Sequence, residues 1–432
     1  MIEGLIHKLQ GKRILILGFG REGRSSYAFI RRFLPELNFG IADQSIPDDV
    51  ATIRADYPHV QLHFGPAYLD SIIQYDVVIK SPGVRLPANL HQTPGITSQT
   101  DLFLQLFSSQ TIGVTGTKGK STTASLIHHL LVSAGQNSLL IGNIGKPCFD
   151  VLDEIKKETI IVFELSANQL EFIHRSPHIA VLLNLFEEHL DHFGSFKAYV
   201  KAKTNIFSYG SEADFLICEP SVLQITNMQA FQHTLSFYSL PKNIHLKLTG
   251  DHNRHNAGAA ISALLAAGFH PNDLLPHLAE FRGLPHRLEY VGNFNGIDFY
   301  NDSIATVPEA CVAALKCFSK VNFLILGGYD RGINYESLVG YLKTHPVHHI
   351  LYTGVAGARI ADLLSASSYD HLHSFKLLDE AMTYIWTHAR PGDVCLLSPA
   401  AASYDQFRNF EHRGERFKEL ISGLFSEKKS YG

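Results

Sequence analysis

The stretch at residues 111–125 constrains the fold of this chain more than any other. A short apolar strand runs into a glycine-rich turn at 116–121, and the residues that follow favour a helix. The glycines let the backbone approach phosphate oxygens, while loop N–H groups and the helix N-terminus supply partial positive charge. Lys120 is predicted to reach the outer phosphates of a nucleoside triphosphate, and the Ser121 hydroxyl to ligate Mg²⁺. The alternative is a glycine-rich surface turn that carries one lysine.

Length and charge narrow the class of protein. At 432 residues the chain is too long for one core, which predicts two to four domains, and its net charge of −4 gives no reason to expect a nucleic-acid partner. The five cysteines form no CxxC pair, which suits a reducing cytoplasm better than a disulfide framework or a zinc site. No apolar run approaches the roughly 18 residues of a membrane span. We therefore expect a cytoplasmic protein without membrane insertion.

The N-terminal segment carries a second glycine-rich pattern. An apolar strand leads into GFGREG at 18–23, a helical stretch follows, and a second strand ends in Asp43. This is the dinucleotide-binding fingerprint, which on its own suggests an NAD-dependent oxidoreductase. Physically it requires only a phosphate group at a helix N-terminus and a hydroxyl-bearing group at Asp43. Any nucleoside diphosphate satisfies both requirements, and a purely structural turn is the remaining alternative.

The middle segment alternates strands and helices, with polar residues where strands end. Asn143 and Glu164 each follow an apolar strand, and His189 follows another. Because ligands bind at the carboxyl ends of parallel strands, we expect these residues to converge with the phosphate loop on one crevice. Glu164 needs a partner there, and Mg²⁺ is a fitting one. For His189 a structural role is the commoner alternative to a metal or substrate contact, and Lys203 on its own would lie on a solvated helix face.

The C-terminal segment, after Arg287, repeats the strand and helix alternation. The pattern predicts another small parallel α/β unit. The stretch at 398–410 places Ser403 and a run of backbone N–H groups near a strand end, which suits anion binding. A tight connecting turn is the alternative.

Taken together, these motifs resemble the Mur ligases, the ATP-dependent amino-acid ligases of peptidoglycan precursor synthesis. The resemblance covers nearly the whole chain and is closest to the glutamate-adding branch. The motifs that carry it are TGTKGKSTT (115–123), GNIG (142–145), ELSANQLE (164–171), NLFEEHLDHFGS (184–195), HNRHNAGAA (252–260), LPHRLE (284–289), NDSIAT (301–306), LGGYDRG (326–332) and SPAAASYDQFRNFEHRG (398–414).

The resemblance implies an α/β protein of three domains. Residues 1–98 would form a Rossmann-like domain that binds the UDP part of a substrate rather than NAD. Residues 99–290 would form the central P-loop-type ATPase domain, and residues 291–432 a Rossmann-like domain that binds glutamate.

The resemblance also implies roles for individual residues, which fall into four sets. Catalysis would involve Lys120, Glu164, His189 and Lys203, and the magnesium ligands would be Ser121, Glu164, His189 and a carbamylated Lys203. ATP would meet Gly116, Thr117, Lys118, Gly119, Lys120, Ser121, Thr122, Asn256, Arg287 and Asp302. The UDP substrate would meet Arg21, Glu22, Asp43, Ser81, Asn143, Ser166 and Gln169. Glutamate would meet Thr306, Arg331, Ser403 and the Phe410 backbone.

The implied reaction joins D-glutamate to UDP-N-acetylmuramoyl-L-alanine through an acyl phosphate, with ATP and two Mg²⁺ ions, in a cytoplasmic monomer. Ile304 stands where the family usually has lysine, and with Val307 it flanks Thr306. These two residues leave a related ligase for L-glutamate, or for another acidic amino acid, as an alternative. More distant alternatives are the oxidoreductase, a non-catalytic nucleotide-binding scaffold and a folate-adding relative.

Overall fold

The structure is a computed structural model that describes residues 2–226, 233–244, 246–248, 251–365 and 371–425. The chain divides into two compact units, Met1–Phe281 and Arg282–Gly432. The described residues form three sheets flanked by helices, two in the first unit and one in the second. The predicted α/β class with three sheet-based modules is therefore confirmed. The domain boundaries at residues 98/99 and 290/291 stay predictions.

The first sheet is parallel throughout, in the order β3-β2-β1-β4-β5. Its strands are β1 Ile14–Leu17, β2 Phe39–Asp43, β3 Gln61–Phe64, β4 Val77–Lys80 and β5 Ile96–Thr97. The α-helices of this part are α1 Ile2–Leu9, α2 Arg21–Phe33, α3 Val50–Asp56 and α4 Gln99–Phe107, with 3₁₀ turns at Tyr68–Gln74, Ala88–Leu90 and Ser108–Gln110. Strand β1 is wholly buried, which explains its uninterrupted apolar sequence.

The second sheet is also parallel, in the order β11-β10-β9-β6-β8-β7. Its strands are β6 Thr111–Thr115, β7 Ser138–Gly142, β8 Ile160–Glu164, β9 Ile179–Leu182, β10 Phe215–Cys218 and β11 His233–Leu235. Its helices are α5 Lys120–Ser133, α6 Ala167–Leu170, α7 Leu190–Phe193, α8 Phe196–Ser208, α9 Pro220–Thr226, α10 Asp251–Ala266 and α11 Pro271–Leu278, with a 3₁₀ turn at Cys148–Glu154. Because β6 lies between β8 and β9, the carboxyl ends of these strands meet at one edge.

The third sheet has the order β12-β13-β17-β14-β15-β16. Its strands are β12 Glu289–Phe294, β13 Ile297–Asn301, β14 Phe323–Gly327, β15 His349–Thr353, β16 Leu372–Ser374 and β17 Val394–Leu397. Its helices are α12 Pro308–Leu315, α13 Glu336–Thr344, α14 Gly354–Ser365, α15 Leu378–His388 and α16 Phe410–Phe425.

The prediction of a parallel C-terminal sheet is wrong at one edge, where β12 pairs antiparallel with β13. The two strands are joined by Asn295 and Gly296, whose φ angles are 54° and 80°. An Asn-Gly pair with both residues in the left-handed region forms the tight turn that reverses a β-hairpin. The other described pairs of this sheet are parallel.

Two further features concern the surface and the thiols. All five cysteines are free; Cys317 is exposed and the other four are buried. Among the helices of the described residues, none combines the length and the apolar composition that a membrane span requires.

Candidate active site

The phosphate-loop sequence forms the connection between β6 and α5. Gly119 caps the helix with a φ of 87°, a conformation that L side chains rarely adopt. A Cβ atom added there would lie 2.4 Å from the Asn256 Oδ1 atom, so a side chain at this position would require Asn256 to move. Asn256 is buried on α10. The structure therefore brings this predicted ATP contact against the loop.

The two lysines of the loop have different surroundings. The Lys120 Nζ atom donates to the Thr117 carbonyl oxygen at 2.9 Å, so it folds back over the loop. The Lys118 ammonium instead forms an ion pair with the Glu188 carboxylate at 2.6 Å, and its backbone N–H donates to Asn184 Oδ1 at 2.8 Å. A cation inside the loop can neutralise phosphate charge directly, which favours Lys120 for that role.

Glu164 ends β8 with a fully buried side chain. Its Oε1 atom accepts from the Asn143 Nδ2 atom at 2.9 Å, whereas Oε2 is buried and has no hydrogen-bond partner among the described residues. A buried carboxylate oxygen without a partner is costly, and a bound cation removes that cost. The orphaned oxygen fits the Mg²⁺ ion that the sequence implies, although no group of three acidic, histidine or cysteine residues forms a metal site within the described ranges.

Lys203 is buried, with 1% of its surface exposed, which corrects the residue-based expectation of a solvated helix face. The α8 face that carries it packs on the end of β6. Its Nζ atom donates to the Gly116 carbonyl oxygen at 2.8 Å and lies 4.9 Å from the centroid of the Tyr199 ring. Burial lowers the pKa of the Lys203 ammonium to about 7, and the Lys120 charge adds to that effect. A lysine with this pKa is present as a neutral amine in a substantial fraction near neutral pH.

His189 lies beside the phosphate loop at the start of α7. Its backbone adopts the left-handed conformation, with a φ of 57°. Its Nε2 atom is 3.7 Å from the Glu188 carboxylate that pairs with Lys118, and its ring lies 6.0 Å from the Tyr199 ring. The half-exposed imidazole can therefore be reached by a ligand at the carboxyl edge of the second sheet.

The N-terminal glycine turn is tightly packed. A Cβ atom on Gly23 would lie 2.0 Å from the Gly18 carbonyl oxygen, and the buried Ser81 hydroxyl donates to that same oxygen at 2.7 Å. Asp43 accepts from the Phe19 backbone N–H at 2.7 Å and from the Ser45 backbone N–H at 2.9 Å. The predicted UDP contacts Ser81 and Asp43 thus already stabilise the turn through hydrogen bonds. They can accept a hydrogen bond from a ligand only through the lone pairs that these contacts leave unused.

Arg21 and Glu22 both point toward the loops of the second sheet. The Arg21 Nη2 atom donates to the carbonyl oxygens of Gly142 at 2.8 Å and Gly145 at 3.0 Å. Glu22 accepts from the Gln169 Nε2 atom at 2.7 Å, and burial raises the pKa of the Glu22 carboxyl. The predicted substrate contacts of two different sheets are therefore in direct contact with one another.

Ser166 and Gln169 form a capping box at the N-terminus of α6. The Ser166 Oγ atom accepts from the Gln169 backbone N–H, and the Gln169 Oε1 atom accepts from the Ser166 backbone N–H at 2.9 Å. This arrangement places the N-cap of α6 two residues after Glu164. It fixes the chain directly after the buried carboxylate.

In the second compact unit, the predicted ATP contact Asp302 has a carboxyl group whose pKa is strongly shifted. Burial raises the pKa of the Asp302 carboxyl to about 7, although the Ser398 hydroxyl, the Leu288 backbone N–H and the Arg287 charge each act in the opposite direction. The Ser398 hydroxyl donates to Oδ2 at 2.8 Å and the Leu288 N–H to Oδ1 at 3.0 Å. Arg287 itself is exposed.

Three of the four predicted glutamate contacts, Thr306, Arg331 and Ser403, lie on loops at the carboxyl edge of the third sheet, and the fourth, Phe410, begins α16. Arg331 donates to the Thr306 carbonyl oxygen at 2.9 Å. Ser403 is buried in the loop after β17, and its carbonyl oxygen accepts from the Phe407 backbone N–H at 2.8 Å. The Phe410 carbonyl oxygen accepts from the Ser303 hydroxyl at 2.8 Å.

Arg413, which sequence reasoning missed, connects these loops. Only 4% of its surface is exposed. Its guanidinium donates to the Ser303 hydroxyl at 2.9 Å, to the Ser303 carbonyl oxygen at 2.8 Å and to the Ala401 carbonyl oxygen at 3.1 Å. Burial lowers the pKa of the Arg413 guanidinium to about 10. A buried arginine that joins the 301–306 turn to the 398–403 loop has no recognisable spacing signal, because its partners are backbone oxygens far away in the sequence.

Replacing Arg413 by alanine should destabilise the second compact unit by about 2–4 kcal/mol, because several buried carbonyl oxygens would lose their donor. Hydrogen exchange of the β14 and β17 amides measures this loss. Arg408→Ala is the matched control, since Arg408 is exposed on the preceding segment. Equal protection in both variants would show that Arg413 is not a structural connection.

Comparison with known proteins adds sequence evidence. Residues 114–221 match the family model of the Mur ligase middle domain, and residues 286–401 match that of the Mur ligase glutamate ligase domain. A relative from Solibacter usitatus, named UDP-N-acetylmuramoylalanine--D-glutamate ligase, is 32% identical over 96% of this chain and 99% of its own length. The chain belongs to the Mur ligase family. The resemblance drawn from the nine motifs is thereby confirmed.

Two further comparisons concern a relative that is named for a different amino acid and a solved structure. A protein from Xanthomonas campestris, named UDP-N-acetylmuramoyl-L-alanine--L-glutamate ligase, is also 32% identical, over 96% of both chains. The crystal structure of MurF from Acinetobacter baumannii is 19% identical, with a TM-score of 0.60 over 98% of both chains, and shows the same fold. The oxidoreductase alternative for residues 14–43 gains no support, because the relatives that are named as ligases match this chain over 96% of its length, including these residues.

Proposed function

We propose that this Mur ligase joins D-glutamate to UDP-N-acetylmuramoyl-L-alanine with the cleavage of ATP to ADP and phosphate, in cytoplasmic peptidoglycan precursor synthesis. The observation that carries the proposal is the near full-length match to relatives of that name. The phosphate loop lies beside the buried Glu164, of whose two carboxylate oxygens only Oε1 has a hydrogen-bond donor. This arrangement supports the ATP-dependent chemistry. The free cysteines are compatible with a reducing compartment. The monomeric state is part of the proposal and is testable by sedimentation.

The reaction has two steps on the substrate's alanine carboxylate. One oxygen of that carboxylate attacks the γ-phosphorus of ATP, the bond to the β-phosphate oxygen breaks, and an acyl phosphate and ADP result. The neutral glutamate amine then attacks the acyl carbon to form a tetrahedral intermediate, the nitrogen loses a proton to solvent, and phosphate leaves as the amide bond is completed. Lys120 offsets the repulsion between the two anions of the first step and stabilises the charge that develops on the transferring phosphoryl group.

Ser121, Glu164, His189 and a carbamylated Lys203 are the residues that would hold Mg²⁺, and the ions would supply positive charge to the phosphoryl oxygens. The orphaned Glu164 Oε2 atom is the observation that fits this assignment. Asn256, Arg287 and Asp302 would bind ATP together with the loop residues. In this proposal the first sheet binds the UDP group near Arg21, Glu22, Asp43 and Ser81, while Asn143, Ser166 and Gln169 meet the rest of that substrate.

Carbamylation of Lys203 is the prediction that follows from its lowered pKa. Only a neutral amine reacts with carbon dioxide, and a pKa of about 7 leaves a much larger neutral fraction at neutral pH than the ordinary value of 10.5 does. We expect a carbamate resonance in the ¹³C NMR spectrum with labelled bicarbonate, growing as the pH rises through 7. Carbon dioxide depletion should lower activity.

Lys201→Ala is the matched control, because Lys201 lies on the same helix but is exposed. The resonance should persist in that variant and vanish in Lys203→Met, whose apolar chain suits the buried position. A carbamate signal that survives Lys203→Met would place the modification elsewhere and contradict the prediction.

The glutamate-binding role belongs to the second compact unit. Thr306, Arg331, Ser403 and the Phe410 backbone are the proposed contacts, and the exposed Arg331 guanidinium is the cation among them that suits a carboxylate. Ile304 and Val307 flank Thr306, and the Ile304 backbone N–H donates to the His286 carbonyl oxygen at 3.0 Å. An apolar side chain where the family usually has lysine, together with the Xanthomonas relative, favours L-glutamate as the second candidate substrate.

The test is ATP-dependent phosphate release with UDP-N-acetylmuramoyl-L-alanine and either D-glutamate or L-glutamate. Release with D-glutamate alone supports the proposal. Release with L-glutamate alone would overturn the assignment of D-glutamate as the substrate. Ile304 and Val307 would then be the residues to test as determinants of specificity. Release with neither would overturn the assignment of the nucleotide substrate.

A further inference from the structure

We propose that Arg21 is a positioning residue that holds the 142–145 loop and, through it, the Glu164 carboxylate in a geometry suited to a divalent cation. The inference rests on the proposed function, which assigns Glu164 to Mg²⁺. This role differs from the UDP contact that the sequence implies and that the proposed function keeps for Arg21, and the experiment below separates the two roles.

The first contact of this connection joins two sheets of the first compact unit. Arg21 begins α2 directly after the N-terminal glycine turn, and its Nη2 atom donates to the carbonyl oxygens of Gly142 and Gly145, at 2.8 and 3.0 Å. Both glycines have positive φ, 109° and 73°. A Cβ atom on Gly142 would lie 2.3 Å from the Glu164 carbonyl oxygen. One guanidinium nitrogen therefore fixes both ends of a loop that only glycines can form.

The second contact runs from the loop to the carboxylate. The Asn143 backbone N–H donates to the Glu164 carbonyl oxygen at 3.0 Å, and its side-chain amide donates to Glu164 Oε1 at 2.9 Å. Asn143 thus holds both the main chain and one carboxylate oxygen of Glu164. The other oxygen, Oε2, is left for a cation.

A neighbouring contact reinforces the connection from the other side of Glu164. Glu22, the next residue of α2, accepts from Gln169 Nε2 at 2.7 Å. Gln169 belongs to the capping box that begins at Ser166, two residues after Glu164. The first turn of α2 therefore contacts both the loop that holds Glu164 and the segment that follows Glu164 in the sequence.

Three roles for Arg21 predict different results. If Arg21 acted only through its charge, its removal would strengthen cation binding, because one positive charge near the site would be lost. If it contacted UDP, its removal would raise the KM for the UDP substrate and leave the Mg²⁺ requirement unchanged. As a positioning residue, its removal weakens cation binding, since Asn143 no longer holds Glu164 firmly.

The experiment compares Arg21→Ala with Arg24→Ala. Arg24 lies one helical turn further on and pairs with Asp49 at 2.5 Å, so its removal changes the charge of the same helix without touching the 142–145 loop. Two quantities are measured: hydrogen exchange of the Gly142 and Asn143 amides in the ligand-free protein, and the Mg²⁺ concentration at half-saturation with a non-hydrolysable ATP analogue.

For Arg21→Ala we expect faster exchange at both amides and a Mg²⁺ requirement about three- to tenfold higher. A change of this size is expected from the loss of one or two charged hydrogen bonds. Arg24→Ala should change neither quantity, and Arg21→Lys should fall between wild type and Arg21→Ala. Asn143→Ala should raise the Mg²⁺ requirement as well, and the double variant should add little to it.

Unchanged exchange, or an unchanged or lower Mg²⁺ requirement in Arg21→Ala, would overturn the proposal. Neither measurement uses glutamate or the UDP substrate. A wrong substrate assignment would therefore leave both readouts interpretable, which separates failure of this inference from failure of the proposed function.

Discussion

Replacing Lys120 by alanine is expected to lower ATP-dependent phosphate release by about 10²- to 10³-fold, the effect typical of losing one preorganised charge-stabilising group. Lys120 is the first residue of α5, and its Nζ atom lies inside the loop, 2.9 Å from the Thr117 carbonyl oxygen. That position lets the ammonium turn toward a phosphoryl group with little rearrangement. The measurement is single-turnover phosphate release at saturating ATP, so that weaker binding does not disguise the loss.

Lys118→Ala is the matched control, because it removes the same charge two residues earlier in the loop. The Lys118 ammonium is engaged with Glu188 at the surface, and such exposed pairs contribute little. We expect a much smaller loss of phosphate release in this variant and unchanged unfolding transitions in both. Equal losses in the two variants would contradict the specific role of Lys120.

Glu164→Gln should lower phosphate release by about 10²-fold or more, because an amide nitrogen would replace the oxygen available to a cation. The variant keeps an acceptor for Asn143, so the contact at 2.9 Å can survive and the fold should be preserved. Raising the Mg²⁺ concentration should restore only part of the activity. Phosphate release measured over a Mg²⁺ series, with the unfolding transition alongside, checks both statements.

Glu188→Gln is the control for Glu164→Gln. Glu188 is only partly buried and pairs with Lys118, and its pKa is lowered although burial acts in the opposite direction. Its removal should have a small effect on the Mg²⁺ series. If Glu188→Gln proved the more damaging change, Glu188 rather than Glu164 would be the carboxylate that holds the cation.

The phosphate loop and most strands could be predicted because their signals are local. The strand before Gly116, the glycines that require a positive φ and the helix start at Lys120 are consecutive in the sequence. The strand that ends at Glu164 is an unbroken apolar run. Each of these patterns is decided by neighbours within a few residues, and the structure follows them.

The C-terminal hairpin could also have been predicted from the sequence. Asn295 and Gly296 form an Asn-Gly pair between two strand-like stretches, which is a strong hairpin signal. The strand and helix alternation that follows it favours parallel pairing, and giving that pattern precedence predicts the wrong pairing for the edge strand.

Other features could not be predicted because they depend on distant partners. Lys203 is buried since its helix packs against the end of β6, and no local pattern distinguishes it from the exposed Lys201. Arg413 binds the hydroxyl and the carbonyl oxygen of Ser303, which lies more than a hundred residues away in the sequence. Arg21 contacts a loop of another sheet. Side-chain-to-backbone contacts of this kind leave no trace in spacing or periodicity.

The distribution of thiols gives this ligase a natural attachment point for spectroscopic probes. Cys317 follows α12 and is exposed, whereas Cys148, Cys218, Cys311 and Cys395 are buried. Burial raises the pKa of the Cys311 thiol to about 12 and also raises the pKa of the Cys317 thiol, so it is the exposure of Cys317 that favours labelling there. A maleimide fluorophore should therefore couple at Cys317 in the native protein without any engineered cysteine. Its emission would report on the glutamate ligase domain while the phosphate loop remains free of label.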